Sequence, residues 1–403
     1  MREGYFVQRL ESLRGIAAMM VACSHSLLLF RLTGVQAAIG SGVGVIASGW
    51  AGVTLFFVLS GFVLGLAIRR MGSDISAGLL RYAIRRVFRI YPAFFCSTVV
   101  LIAWLCFGAA LFPEISEWMD KPYFGYHASV LNHHAPLTLS LVIRNLLMLD
   151  ASLNLVTWTL KVEMACSLLL PALHYGVRSL SASGKVLVLL ALIWVACLGK
   201  CLLLLGFART EAYLDGTIIK YLFLFYLGYL LPEAGPFLAS KMERNFGLTA
   251  GILIVGTTLF FGASLLIFGA FRDDLRIVQG LGGTLILASI LYGAPLKGLN
   301  LLDHVVVKFY GRISYSFYLL HDLVLIVIFR GFISKAAPEL WGSYPLAWAG
   351  ILWLVSTVFA TGIAWVSFSK IEKPLIDLSK RICLRLIPAP ISLPLAIYAS
   401  PKP

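Results

Sequence analysis

Apolar runs of about 20 residues follow one another along this chain, and that succession constrains the fold more than any other feature of the sequence. Helices are expected near 11 to 30, 42 to 66, 91 to 112, 157 to 177, 186 to 205, 216 to 232, 247 to 269, 276 to 294, 312 to 333 and 346 to 369. Each run can cross roughly 30 Å of hydrocarbon as a helix, which satisfies its own backbone hydrogen bonds in lipid. Composition agrees: of 403 residues, 60% are hydrophobic and 13% charged, and the mean hydropathy is +0.89. Those values exclude an ordinary water-soluble domain. The expected fold is all-α, a polytopic membrane bundle of about ten transmembrane helices. Residues 1–386 would form the membrane domain and residues 387–403 a Pro-rich tail.

An even number of spans places both termini on one side. Under the positive-inside rule, Arg2, Arg9, Arg14, the arginines from Arg69 to Arg89 and the basic tail put that side in the cytosol. The net charge of +14 points first to anionic lipid and second to an anionic ligand. No nucleic-acid partner is expected, since no soluble basic domain is visible to hold one. The opening residues lack the layout of a removable signal, so the first run should be retained as a span. The longest non-cytosolic segment, Phe112 to Val156, reads as a re-entrant or interfacial piece and a candidate wall of an active chamber. His127, His133 and His134 within it, with Glu114, Glu117 and Asp120, match no usual zinc spacing, and no metal site is assigned. Cys23, Cys96, Cys106, Cys166, Cys197, Cys201 and Cys383 read as packing residues. Gly40, Gly42, Gly44 and Gly49 follow no strand and read as loop and packing glycines.

Ionisable residues inside apolar helices are costly and usually face a cavity or a partner. The first helix carries two of them, Arg14 and His25, eleven residues apart. That spacing puts both on one face, separated by about 16 Å along the axis. The pair reads either as a stripe joining cytosol to midplane or as a buried His bonded to a neighbouring helix with a snorkelling Arg. Arg81, Arg85 and Arg89 recur every four residues, with Arg86 beside them, so an anion is expected among them: a lipid headgroup, or a ligand bearing several phosphates. Glu163 in the fourth span needs a partner, either a His imidazolium or a structural Arg. Tyr315, Tyr318 and His321 share a face of the ninth span at intervals of three, which suits a polar pocket or, for Tyr315, a membrane interface. Ser60 in the second span reads first as a helix-contact residue.

Six segments in order resemble the acyltransferase-3 family of multi-pass membrane O-acyltransferases. They are Leu13-Arg14-Gly15-Ile16-Ala17 leading to His25, Phe56-Phe57-Val58-Leu59-Ser60-Gly61-Phe62, and Arg86-Val87-Phe88-Arg89-Ile90-Tyr91-Pro92. Trp158-Thr159-Leu160-Lys161-Val162-Glu163, Ser314 through His321, and Glu372-Lys373-Pro374 follow. The likeness implies transfer of an acyl group, most commonly acetyl, from cytosolic acyl-CoA to a hydroxyl of a carbohydrate, glycoconjugate or similar acceptor. No tightly bound cofactor is implied; acyl-CoA is the donor substrate, and the location implied is a bacterial inner (cytoplasmic) membrane.

On that reading His25 is the general base, Glu163 or His321 orients its ring, and Tyr315 or Tyr318 donates to the developing oxyanion. Arg14, Arg85, Arg86 and Arg89 hold the CoA phosphates. An acyl-enzyme on His25, Ser24, Ser26 or Ser60 is the alternative to direct transfer. The chain departs from the family pattern at Thr159, where Ser is frequent, and at Asp322, where Trp is frequent. Some members carry an appended soluble hydrolase-like domain. None is expected here, so either this chain acylates its acceptor directly or a separate protein finishes the transfer. The rival expectation is a transporter or flippase of an anionic or acylated substrate that uses the same Arg/His stripe.

Overall fold

A computed structural model describes residues 2–71, 74–111, 137–204, 218–266, 275–333 and 338–386. The helices in chain order are α1 (Arg2–Leu28), α2 (Gly34–Ile46), α3 (Gly49–Arg69), α4 (Ile75–Leu111), α5 (Leu139–Leu146), α6 (Trp158–Val177) and α7 (Ala182–Leu204). There follow α8 (Ile219–Met242), α9 (Phe246–Leu266), α10 (Leu275–Tyr292), α11 (Val305–Ile333), α12 (Pro338–Ser343), α13 (Pro345–Ser367) and α14 (Lys373–Leu386). Among the described residues there is no strand, and eight helical segments are long and apolar enough to cross a membrane. The protein is an all-α, polytopic integral membrane bundle. Each of the ten expected spans falls on a helix; α1 and α7 are the two outside those eight, α1 because Arg9, Glu11, Arg14 and His25 interrupt its apolar surface.

Three boundaries differ from expectation. The run at 42 to 66 is two helices, because Ser48 caps a fresh start: its hydroxyl accepts from the Ala51 N–H at 3.3 Å. Gly40, Gly42 and Gly44 are therefore helical in α2 rather than in a loop. The basic stretch from Arg81 to Arg89 belongs to α4, which begins at Ile75. Only the end of the Phe112–Val156 segment is described; the histidines and acids between 114 and 134 and the tail at 387–403 lie outside the residues described. In the described part, Thr138 caps α5, Tyr91 donates to the Leu146 carbonyl at 2.7 Å, and Met148 packs with Leu319 and Leu320 of α11. That end of the segment lies against the ninth span. The described cysteines are free thiols.

The core forms where α1 packs on α3 and α11, α3 on α8, and α11 on α13. Small residues permit these approaches. A Cβ on Gly61 would stand 2.0 Å from the Phe225 carbonyl oxygen, and one on Gly228 would stand 2.0 Å from that of Val58, so α3 and α8 touch backbone to backbone.

Candidate active site

The site is built on α1 and α11, and α1 is fixed at several heights. Near its start, Arg9 forks onto Asp303 (2.6 and 3.1 Å), and the Ser12 hydroxyl donates to the Leu302 carbonyl at 2.6 Å. At the next turn Gly15 meets Gly311: a Cβ on Gly15 would lie 2.6 Å from the Gly311 nitrogen. Near its end, Ser26 donates to the Ala349 carbonyl of α13 at 2.7 Å. His25 is thus held on a helix with little freedom to turn.

Ten residues beyond the glycine contact on each helix, His25 meets His321. The rings stack with centroids 5.2 Å apart, and His25 Nδ1 lies 3.2 Å from His321 Nε2. The same His25 nitrogen is 3.3 Å from Asp322 Oδ1. His321 Nδ1 is 2.7 Å from the Tyr318 carbonyl oxygen, which only accepts, so that nitrogen carries the hydrogen. In the neutral pair, His321 Nε2 is then a lone pair, His25 Nδ1–H donates toward it and toward Asp322, and His25 Nε2 keeps its own lone pair. His321 and Asp322 are buried, whereas His25 keeps 20% of its side chain accessible. His25 therefore has an oriented ring, held by two partners on the neighbouring helix α11.

About 16 Å toward the other end of α1, a second group of charges is buried. Arg86 donates to Glu163 Oε1 at 2.6 Å, and the Ser60 hydroxyl donates to the same oxygen at 3.1 Å. Glu372, on a π-helical turn between α13 and α14, accepts from the Ser316 hydroxyl at 2.9 Å. The charges of Arg86, Arg89, Glu163 and Glu372 all bear on Arg14. Three guanidinium groups face two carboxylates, so the cluster carries one positive charge in excess. Arg14 Nε and Arg86 Nε are buried without a hydrogen-bond partner, an omission that an acceptor from a ligand would repair.

An aromatic ladder joins the two groups. Arg14 sits over the Phe56 ring (5.7 Å), Phe56 meets Tyr318 (5.5 Å), Tyr318 meets His321 (5.7 Å), and His321 meets His25. Residues of all six sequence segments thereby enter one connected assembly. The individual placements differ from the expectation in four respects. Glu163 does not touch His25; it neutralises Arg86. Arg85 points outward, and the inward pair on α4 is Arg86 and Arg89, because a three-residue step fits the buried face better than the four-residue one. Tyr315 donates its hydroxyl to the Ile90 carbonyl (2.5 Å), which seals α11 to α4. Tyr318 shares its hydroxyl with Thr159 (2.9 Å) and the Val156 carbonyl (3.3 Å), so it packs beside His321 with its proton already placed. Sequence reasoning gave no role to Asp322; its one signal was a carboxylate within an apolar helix, next to a His.

Comparison with known proteins adds two matches. The acyltransferase domain family model matches residues 7–369. A protein of Acidianus two-tailed virus, named as a candidate acetyltransferase, is 26% identical over 166 residues, which is 41% of this chain and 40% of the relative. The chain thus spans well under half the length of that curated relative. No solved structure matches the chain.

Proposed function

Since this chain belongs to the acyltransferase domain family, matched from residue 7 to residue 369, we propose that it is a membrane O-acyltransferase. Its donor is a cytosolic acyl-CoA, most simply acetyl-CoA, and its acceptor a hydroxyl of a carbohydrate or glycoconjugate. The observation that carries the reading is the ladder from an unsatisfied, positively charged Arg cluster to an oriented His pair. Arg14 and Arg89 receive CoA phosphates, for which forked guanidinium donors are suited. Arg86 supports them from its pair with Glu163. In a cytoplasmic membrane with both termini inside, this end of α1 faces the cytosol.

The acceptor is a poor nucleophile until a base removes its proton. His25 Nε2 takes that proton as the hydroxyl oxygen bonds to the thioester carbonyl carbon. His321 and Asp322 hold the ring and stabilise the imidazolium. The C–S bond then breaks, and His25 passes the proton to the CoA sulfur, leaving the ester and free CoA.

The test is acyl-CoA consumption by purified protein with and without an acceptor glycan. The expected result is acceptor-dependent release of CoA by wild type and its loss, by 10³-fold or about that, in His25→Ala at unchanged melting temperature. Normal turnover in folded His25→Ala rejects the base. Solute flux through vesicles without CoA favours the transporter reading.

A further inference from the structure

Three groups that ligate transition metals converge at the His pair. His25, His321 and Asp322 each offer one donor atom within 4.8 Å of the other two, and no other such grouping occurs among the described residues. His25 Nδ1 stands 3.2 Å from His321 Nε2 and 3.3 Å from Asp322 Oδ1. For zinc with N and O ligands at about 2.0–2.1 Å, neighbouring donors of a tetrahedron stand about 3.3 Å apart. Both spacings fit that edge. His321 also has the outer contact expected of a ligating imidazole: its other nitrogen donates to a backbone carbonyl, which aims Nε2 inward. His25 keeps 20% of its side chain accessible, a flank on which an ion and a fourth ligand would sit.

We propose that this trio is an inhibitory zinc site, an inference that rests on His25 being the base. A neutral imidazole has one N–H. When zinc takes the lone pair of His25 Nδ1, the ring hydrogen resides on Nε2, and the lone pair meant for the acceptor hydroxyl is gone. Zinc binding therefore switches the base off without moving a helix. Two imidazoles and one carboxylate favour zinc and its first-row neighbours over magnesium or calcium, which prefer all-oxygen sites.

The full chain is purified in detergent, treated with chelator, and dialysed against buffered zinc; cobalt absorption reports coordination geometry. Asp322→Asn and His321→Gln are measured alongside, with thermal unfolding to verify that each is folded. The expected result is one zinc per wild-type chain, a tetrahedral cobalt spectrum, and affinity at least about tenfold weaker in each variant. Wild-type acyl-CoA consumption should fall at the same zinc concentration, return on chelation, and ignore magnesium. No stoichiometric zinc on folded wild type, or equal affinity in wild type and both variants, overturns the site. Zinc that binds yet leaves turnover unchanged or raises it overturns the inhibitory role. A metal-free wild type with no acyl transfer instead rejects the transferase reading, while the binding measurement still decides whether the ion site exists.

Discussion

Arg86 and Glu163 meet at 2.6 Å with side chains only 7% and 11% exposed, so each charge depends on the other. Removing one member of a buried pair strands the other and costs about 3–5 kcal/mol, whereas replacing both by apolar groups is often close to neutral. Glu163→Leu is therefore expected to destabilise the protein by about that amount, and Arg86→Met added to it to recover most of the loss. Unfolding in detergent measures both; equal stability of Glu163→Leu and wild type would show that the pair is not electrostatically isolated. The sequence made these residues visible because an ionised group in an apolar run stands out against its surroundings. It could not pair them. Glu163 faced two possible partners, and choosing Arg86 over His25 depends on how α4 and α6 rotate against each other. Asp322 passed unassigned for the same reason: its partner His25 is on another helix, and nothing local to the ninth span reports that contact.

Helix contacts carry the geometry of the site from one residue to the next. Gly15 and Gly311 let α1 and α11 touch, and a Cβ on Gly311 would stand 2.6 Å from the Glu11 carbonyl carbon. Ten residues on, the same two helices present His25 and His321, so any splaying at the glycines is transmitted to the histidines. Gly311→Ala should cost about 1–3 kcal/mol, and a displacement of about 1 Å at the His pair should lower turnover by about 10²-fold. Gly350→Ala on α13 is the control, since an added Cβ meets nothing within 4 Å there. Measured turnover and melting temperature that fall equally little in both variants would show that the glycine contact does not set the His register. The helices were readable as apolar periods, since each expected span falls on one. The break at Ala47 and Ser48 was not, since a capping Ser inside a continuous apolar run leaves the hydropathy unchanged while it restarts the helix.

Across the whole molecule, the two contacts between α1 and α11 advance together, Gly15 with Gly311 and His25 with His321, so the helices run parallel. Parallel first and ninth spans require an even number of steps from one to the other, which their places in the expected order supply. The basic end of this parallel pair holds Arg14, Arg86 and Arg89; the His pair lies about 16 Å along it, roughly half the hydrocarbon thickness. On the proposed function, the membrane is crossed by division of labour along one stripe: guanidinium groups hold the donor at one level, and an imidazole makes the acceptor reactive at another. Equilibrium binding of acyl-CoA to wild type, Arg14→Gln and His25→Ala tests that division most directly. His25→Ala is expected to bind the donor as tightly as wild type, and Arg14→Gln about tenfold or more weakly, the loss of one charge-assisted contact. Donor affinity that falls in folded His25→Ala and persists in Arg14→Gln would contradict that division.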